Sequence, residues 1–200
     1  MNNDHFYSNF RKYDRYCVLD LEATCCDDGS IRRQDTEIIE IGAVLCDAYT
    51  LEAIDEFQCF VKPVRHPKLT RFCTELTSIT QAQVDAGVSL AKALSLIGAW
   101  FHHGDTLLCS WGDYDKNQFA IEARRNGLRL PFGPDHLNLK RAFSERRGES
   151  KQHGMAEALR LAGIRLSGTH HRGIDDARNI AKLLPLCVDH KDERDELSSP

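Results

Sequence analysis

The chain of 200 residues carries 30 acidic and 26 basic side chains, a formal net charge of −4, with 42% hydrophobic and 28% charged residues. That balance suits one soluble globular domain with a sizeable core, and it excludes a nucleic-acid binder that works by bulk positive charge. No apolar run reaches the length of a membrane span, and Met1 to Arg15 lacks the apolar centre of a secretion signal, so a cytoplasmic protein with no membrane contact is expected.

In chain order, the first predicted strand is Tyr16 to Glu22, where Cys17, Leu19 and Leu21 alternate with Val18, Asp20 and Glu22. Residues two apart on a strand share a face at about 7 Å, so Asp20 and Glu22 point the same way. Two carboxylates forced together repel and lose hydration on burial. A divalent cation would compensate; so would a strand end where both reach water. A polar loop follows from Cys25 to Thr36, with a turn signal at Asp27-Asp28-Gly29-Ser30. Ile38 to Cys46 reads as a central strand and Ile54 to Val61 as its hairpin partner, ended by Lys62-Pro63.

Helical material comes next: Leu69 to Leu76, Thr80 to Asp85 behind a Thr cap, and Ser89 to Phe101 with Leu90, Ala93, Leu94, Ile97 and Phe101 as its apolar stripe. Gly104-Asp105 breaks this last helix, and Thr106 to Cys109 is a short buried strand. A helix carrying Phe119, Ala120 and Ala123 runs to a cap at Gly127, and Leu137 to Leu139 is a short edge strand. Gln152 to Ala162, closed by Gly163, and Asp175 to Cys187, with Pro185 near its end, are the final helices. The expected organisation is an N-terminal segment over 1–15, one mixed α/β domain over 16–188, and a charged, flexible tail over 189–200.

Of the eight cysteines, Cys17, Cys46, Cys59 and Cys109 sit in apolar strand-like runs, and no pair has zinc-ligand spacing, so reduced, structural thiols are expected. Arg124, Arg125 and Arg129, and Lys140, Arg141, Arg146 and Arg147, form two basic groups that either contact phosphates or make solvated helix faces. Two more acidic sites complete the inventory: Asp115, with Asp113 close by, after a buried strand, and Asp176, with His171 five residues earlier. Taken singly, each acid suits the first turn of a helix, where the dipole favours negative charge.

Together these stretches resemble the DEDD 3′-to-5′ exonuclease superfamily, in the DEDDh subgroup with a catalytic histidine, and within it the histone-mRNA-exonuclease-like branch and its bacterial relatives. Four segments carry the resemblance: Asp20 to Cys25, Phe72 to Val84, Ser110 to Asp115, and His171 to Ala181. One departure is Ser78, where the family usually has Gly. The resemblance implies a ribonuclease-H-like mixed five-stranded sheet flanked by helices. It implies that Asp20, Glu22, Asp115 and Asp176 hold two divalent cations, Mg2+ or Mn2+, with His171 as general base and Glu22 also orienting the water or the terminal ribose. It selects Asp115 over Asp113, His171 over His170 and Asp176 over Asp175.

For the nucleotide, the resemblance implies backbone contact around Ala23 and Thr24, packing of Leu76, Thr77 and Ile79 about the terminal base, and a stacking surface at Trp111. The implied activity is stepwise release of 5′-mononucleotides from the 3′ end of single-stranded RNA or DNA, with RNA favoured. Two alternatives stand beside it: a DNA exonuclease of proofreading or repair type, and a non-catalytic exonuclease-like binding or regulatory protein. Retention of all four acids and His171 argues against the second. Protein partners are not indicated.

Overall fold

The computed structural model describes residues 12–101 and 105–189. Most of the expected N-terminal segment, the tail beyond Asp189, and Gly104 lie outside the described residues. Five strands form one sheet: β1 (Arg15–Ala23), β2 (Ile38–Asp47), β3 (Ala53–Phe60), β4 (Thr106–Ser110) and β5 (His136–Asn138), in the order β3-β2-β1-β4-β5. β1, β2 and β3 form an antiparallel meander, and β4 and β5 join β1 in parallel. The described helices are α1 (Arg71–Thr77), α2 (Gln81–Asp85), α3 (Leu90–Trp100), α4 (Tyr114–Arg125), α5 (Leu139–Arg146), α6 (Met155–Leu161) and α7 (Gly173–Ala181). None of them is long and apolar enough to cross a membrane.

β1 is central and buried on both faces, which explains its nearly continuous apolar sequence. Tyr16 and Val18 belong to the core shared with α5, α6 and α7, whereas Cys17, Leu19 and Leu21 belong to the core under α3. Asp20 and Glu22 continue the first of these faces, the one that α7 covers. The approach of α7 is set by two glycines: a Cβ on Gly42 of β2 would lie 2.1 Å from the Gly173 carbonyl carbon and from the Ile174 nitrogen. Any side chain at 42 would lever the helix off the sheet.

Local chemistry accounts for the element ends. Ser89 caps α3, accepting from the Lys92 N–H, and Thr80 with Gln83 makes a reciprocal capping box on α2. Ser78 closes α1 at φ +59°, a left-handed position that favours glycine, which supplies a backbone reason for the family's usual residue there.

Three expectations need correction. The last helix starts at Gly173 and ends at Ala181, followed by a 3-10 turn over Leu184–Leu186 that contains Pro185. The Gln152 helix begins only at Met155. α5 was not foreseen: Leu139 belongs to this helix rather than to the edge strand, and Asn138 caps it by accepting from the Arg141 N–H at 2.9 Å. All eight cysteines are free, as expected.

Candidate active site

At the end of β1 lies an open cleft of about 340 Å³, lined among others by Asp20, Glu22, Ala23, Leu76, Trp111, Asp115, His170, His171 and Asp176. The four acids arrive on three elements. Asp20 and Glu22 come from β1, and the β1–β2 register shifts between Glu22 and Ala23, where the strand turns into the cleft. Parallel pairing of β1 with β4 ends at Leu19 and Ser110. Beyond it the Leu21 N–H donates instead to Asp115 Oδ1 at 3.0 Å, so the first turn of α4 substitutes a carboxylate for the missing strand. Asp176, in the first turn of α7, accepts from the His171 N–H through Oδ2 at 3.0 Å.

Oxygens of Asp20, Glu22 and Asp176 lie within 4.8 Å of one another. Nothing among the described residues donates a hydrogen bond to the carboxylates of Asp20 and Glu22, and Asp176 Oδ1 is buried without a partner. The cost shows in their proton affinities. Burial, then the neighbouring acids, raises Asp20 well above the usual carboxylate range and pushes Glu22 up to about 8. Burial pushes Asp115 up to about 6, opposed by the Leu21 N–H, and it also raises Asp176. Such a group must either take up protons or receive cations. Its all-oxygen donors and orphaned oxygen fit a hard divalent cation.

The structure separates the acidic near-neighbours. Asp113 accepts from Asn138 Nδ2 at 3.0 Å and is absent from the cleft lining. Asp175 binds the Thr169 N–H at 2.9 Å and Arg178 Nη1 at 3.0 Å, also away from the cleft. The histidines are not separated in this way. Both line the cleft with ring centroids 4.0 Å apart, and His170 Nδ1 is 3.4 Å from Asp176 Oδ2. Burial, and secondarily His170, lowers the proton affinity of His171, which favours the neutral imidazole.

Among the expected nucleotide contacts, Ala23, Leu76 and Trp111 line the cleft, the indole N–H of Trp111 being held by the His153 carbonyl at 3.0 Å. Thr24, Thr77 and Ile79 do not. The Thr24 hydroxyl is buried against the Glu37 N–H, and the Thr77 hydroxyl bridges the Cys73 carbonyl and the Ile79 N–H. Ile79 is fully buried with Ile39, Cys73 and Val84. Sequence reasoning missed Tyr114, Cys25, Met155 and His170 as lining residues. Tyr114 had a signal, an aromatic residue directly before a cleft acid.

Comparison with known proteins first gives the class. The nuclease domain described as "3'hExo, a DEDDh family member, bound to rAMP" superposes with a TM-score of 0.76 at 30% identity, covering 86% of this chain and 90% of that one. A 3′-exonuclease described by its "3'-end specific recognition of histone mRNA stem-loop" gives a TM-score of 0.81 at 28% identity, covering 90% of this chain and 65% of that one. The fold is thus the ribonuclease-H-like exonuclease fold expected from the sequence. Residues 17–184 match the family model described as Exonuclease, RNase_T, and the chain belongs to that family. ERI1 exoribonuclease 2 of Mus musculus is 38% identical over 197 residues, covering 86% of this chain. The chain spans 28% of the length of that relative.

Proposed function

We propose that the protein is a two-metal-dependent 3′-to-5′ exonuclease that hydrolyses single-stranded nucleic acid, RNA in preference to DNA, and releases 5′-mononucleotides. The observation that carries this reading is the convergence of Asp20, Glu22, Asp115 and Asp176 in one cleft with His171 beside them. Its support from relatives lies in their names, exoribonucleases, and in the rAMP held by one of the similar nuclease domains.

Asp20, Glu22, Asp115 and Asp176 are assigned to two Mg2+ or Mn2+ ions, which when bound supply an activated water and stabilise charge on the departing oxygen. His171, whose neutral form its burial favours, is assigned to accept the water's proton on its imidazole. The His171 N–H holds Asp176 Oδ2, leaving Oδ1 for a cation. Glu22 lines the cleft beside Asp20 and Asp176, and is also assigned to orienting the water or ribose. Leu76 and Trp111 offer apolar surfaces to a terminal base, and stacking of that kind tolerates any base.

The test is a 5′-labelled single-stranded RNA, with its matched DNA, incubated with Mg2+, Mn2+ or chelator. A ladder shortening from the 3′ end, absent with chelator and faster for RNA, is the expected result. No degradation by folded protein with either metal overturns the assignment; equal or faster DNA cleavage overturns the substrate preference. His171→Ala should cost about 10²- to 10⁴-fold in kcat. A comparable loss in His170→Ala, with His171→Ala near normal, would move the base by one residue.

A further inference from the structure

One buried acid beside the site does not behave like the other four. Glu40 lies opposite Glu22 in the β1–β2 register and is fully buried. A fifth acid on this face looks at first like a further metal ligand, but its oxygens are already engaged. Oε1 accepts from Gln58 Nε2 at 2.6 Å and from Arg172 Nη2 at 3.2 Å. Oε2 accepts from Arg172 Nε at 3.1 Å and from the Gly173 N–H at 3.0 Å. The guanidinium of Arg172 is itself mostly buried and sits over the Phe60 ring, 5.5 Å from its centroid.

What this network holds is the turn that carries His171. His171 adopts φ +64°, a left-handed conformation that a non-glycine residue keeps only when its surroundings impose it. Three consecutive residues are tied down: the His171 N–H to Asp176, the Arg172 side chain to Glu40, and the Gly173 N–H to Glu40. The two backbone ties fix where α7 begins. The two-pronged guanidinium–carboxylate contact adds a fixed orientation just after the histidine, which a point charge would not give.

We propose that Glu40 and Arg172 are positioning residues for the reaction: their forked ion pair locks the turn 171–173 and thereby sets the His171 imidazole in the cleft. This rests on the reading of His171 as proton acceptor. A buried pair that merely stabilises the fold, or a Glu40 that feeds the metal site, gives a different pattern in the following experiment.

Single-turnover cleavage of a short single-stranded RNA at saturating Mn2+ is measured for wild type, His171→Ala, Arg172→Ala, Arg172→Lys, Glu40→Gln and the double variant His171→Ala/Arg172→Ala, with thermal melts and Mn2+ half-saturation for each. Arg172→Ala and Glu40→Gln should slow cleavage about 10- to 100-fold, while half-saturating RNA and Mn2+ concentrations stay within about twofold. Arg172→Lys should recover the melting temperature more fully than the rate. In the His171→Ala background the Arg172→Ala change should cost nothing further, because no imidazole remains to be placed.

If His171→Ala cleaves at near-normal rate, the assignment of the base fails before positioning is in question. If His171→Ala is slow but Arg172→Ala is not, or if Arg172→Ala costs as much in both backgrounds, positioning is overturned. A near-normal rate at saturating Mn2+ with a half-saturating Mn2+ concentration raised well beyond twofold in Glu40→Gln would place Glu40 with the metal site instead. Should Arg172→Ala not fold, Arg172→Lys in the two backgrounds makes the same comparison.

Discussion

Two groups of buried or half-buried carboxylates occupy the same sheet region, and they differ in what their oxygens touch. Glu37 accepts from the N–H groups of Val64, Arg65 and His66 at 2.7–3.0 Å. Glu122 accepts from the Ile38 N–H at 2.5 Å and from Gln118 Nε2 at 2.9 Å, and Glu40 is saturated as described above. Asp20 and Glu22, a few residues away, accept nothing from the described residues, and Asp176 has one buried oxygen idle. Burial alone therefore does not mark a functional acid here. A satisfied carboxylate holds chain segments together; an unsatisfied one holds a place for something positive.

The strongest way to break that distinction is Asp115→Asn set against Asp113→Asn. The Asn oxygen at 115 can still accept the Leu21 N–H, so the fold should persist, while activity should fall about a hundredfold or more on loss of a metal ligand. In chelator the melting temperature should hold or rise, because a buried charge has gone. Asp113→Asn should keep most activity, since that side chain faces Asn138. Reversed rates would move the site to the satisfied acid and undo the comparison.

Next in size is Gly42→Ala, which tests whether the acids are brought together by backbone contact. Its Cβ would meet backbone atoms of Gly173 and Ile174 at 2.1 Å, so relief requires α7 to shift, taking Asp176 and His171 with it. A loss of about 1–3 kcal/mol in denaturant unfolding is expected from overpacking, with cleavage impaired even below the melting transition. Unchanged stability and rate would show that α7 is placed by other contacts.

Glu37→Ala and Glu22→Gln sharpen the contrast from the two sides. Glu37→Ala should cost about 1–3 kcal/mol of stability by stranding backbone donors, and leave the metal dependence of cleavage in place. Glu22→Gln should remove activity without lowering the chelator melt. A Glu22→Gln protein that unfolds more readily would mean that Glu22 has a structural partner after all.

How much of this was legible in the sequence follows the same physics. Period-two alternation placed β1 and β3, and a nearly continuous apolar run placed β2, which is buried along almost its whole length. The five site residues were legible through the ordered segments around them, and the shared face of Asp20 and Glu22 through strand geometry alone. α5 was hidden because Leu139 ends one apolar run and begins another, with the cap at Asn138 visible only by its hydrogen bond. The resemblance of Phe72 to Val84 to a nucleotide-contacting segment put Thr77 and Ile79 at the terminal base; the sequence does not say which way side chains turn on either side of a left-handed residue such as Ser78. Glu40 did have a signal, a charge inside the apolar run Ile38-Ile39-Glu40-Ile41, but its partner Arg172 is 132 positions away.

The smallest expected effect concerns proton uptake by the unsatisfied group. Burial and neighbouring acids push Glu22 up to about 8 from the ordinary value of 4.5, and burial pushes Asp115 up to about 6 from 3.8. A raised carboxylate binds its proton more tightly folded than unfolded, so it favours the folded state fully below its unfolded value and loses that contribution as pH rises through its folded one. In chelator, the melting temperature should therefore decline as pH is raised from about 6.5, above the range where the histidines titrate, to about 8. Asp35 and Glu56, held below the usual range by Arg32 and Arg178 respectively, act with the opposite sign at lower pH, and burial gives His136, pushed down to about 4, and His171 that same opposite sign below 6.5, so none of them masks the decline above that value. Divalent cation binds the deprotonated carboxylates, and its stabilising increment should grow across the same window. Glu22→Gln should flatten both trends, whereas Glu37→Ala should shift the curve down without changing its slope. A chelator melt that is level from about pH 6.5 to 8, with a metal increment that is level too, would mean the cleft acids are neutralised within the protein and would remove the distinction between the two groups.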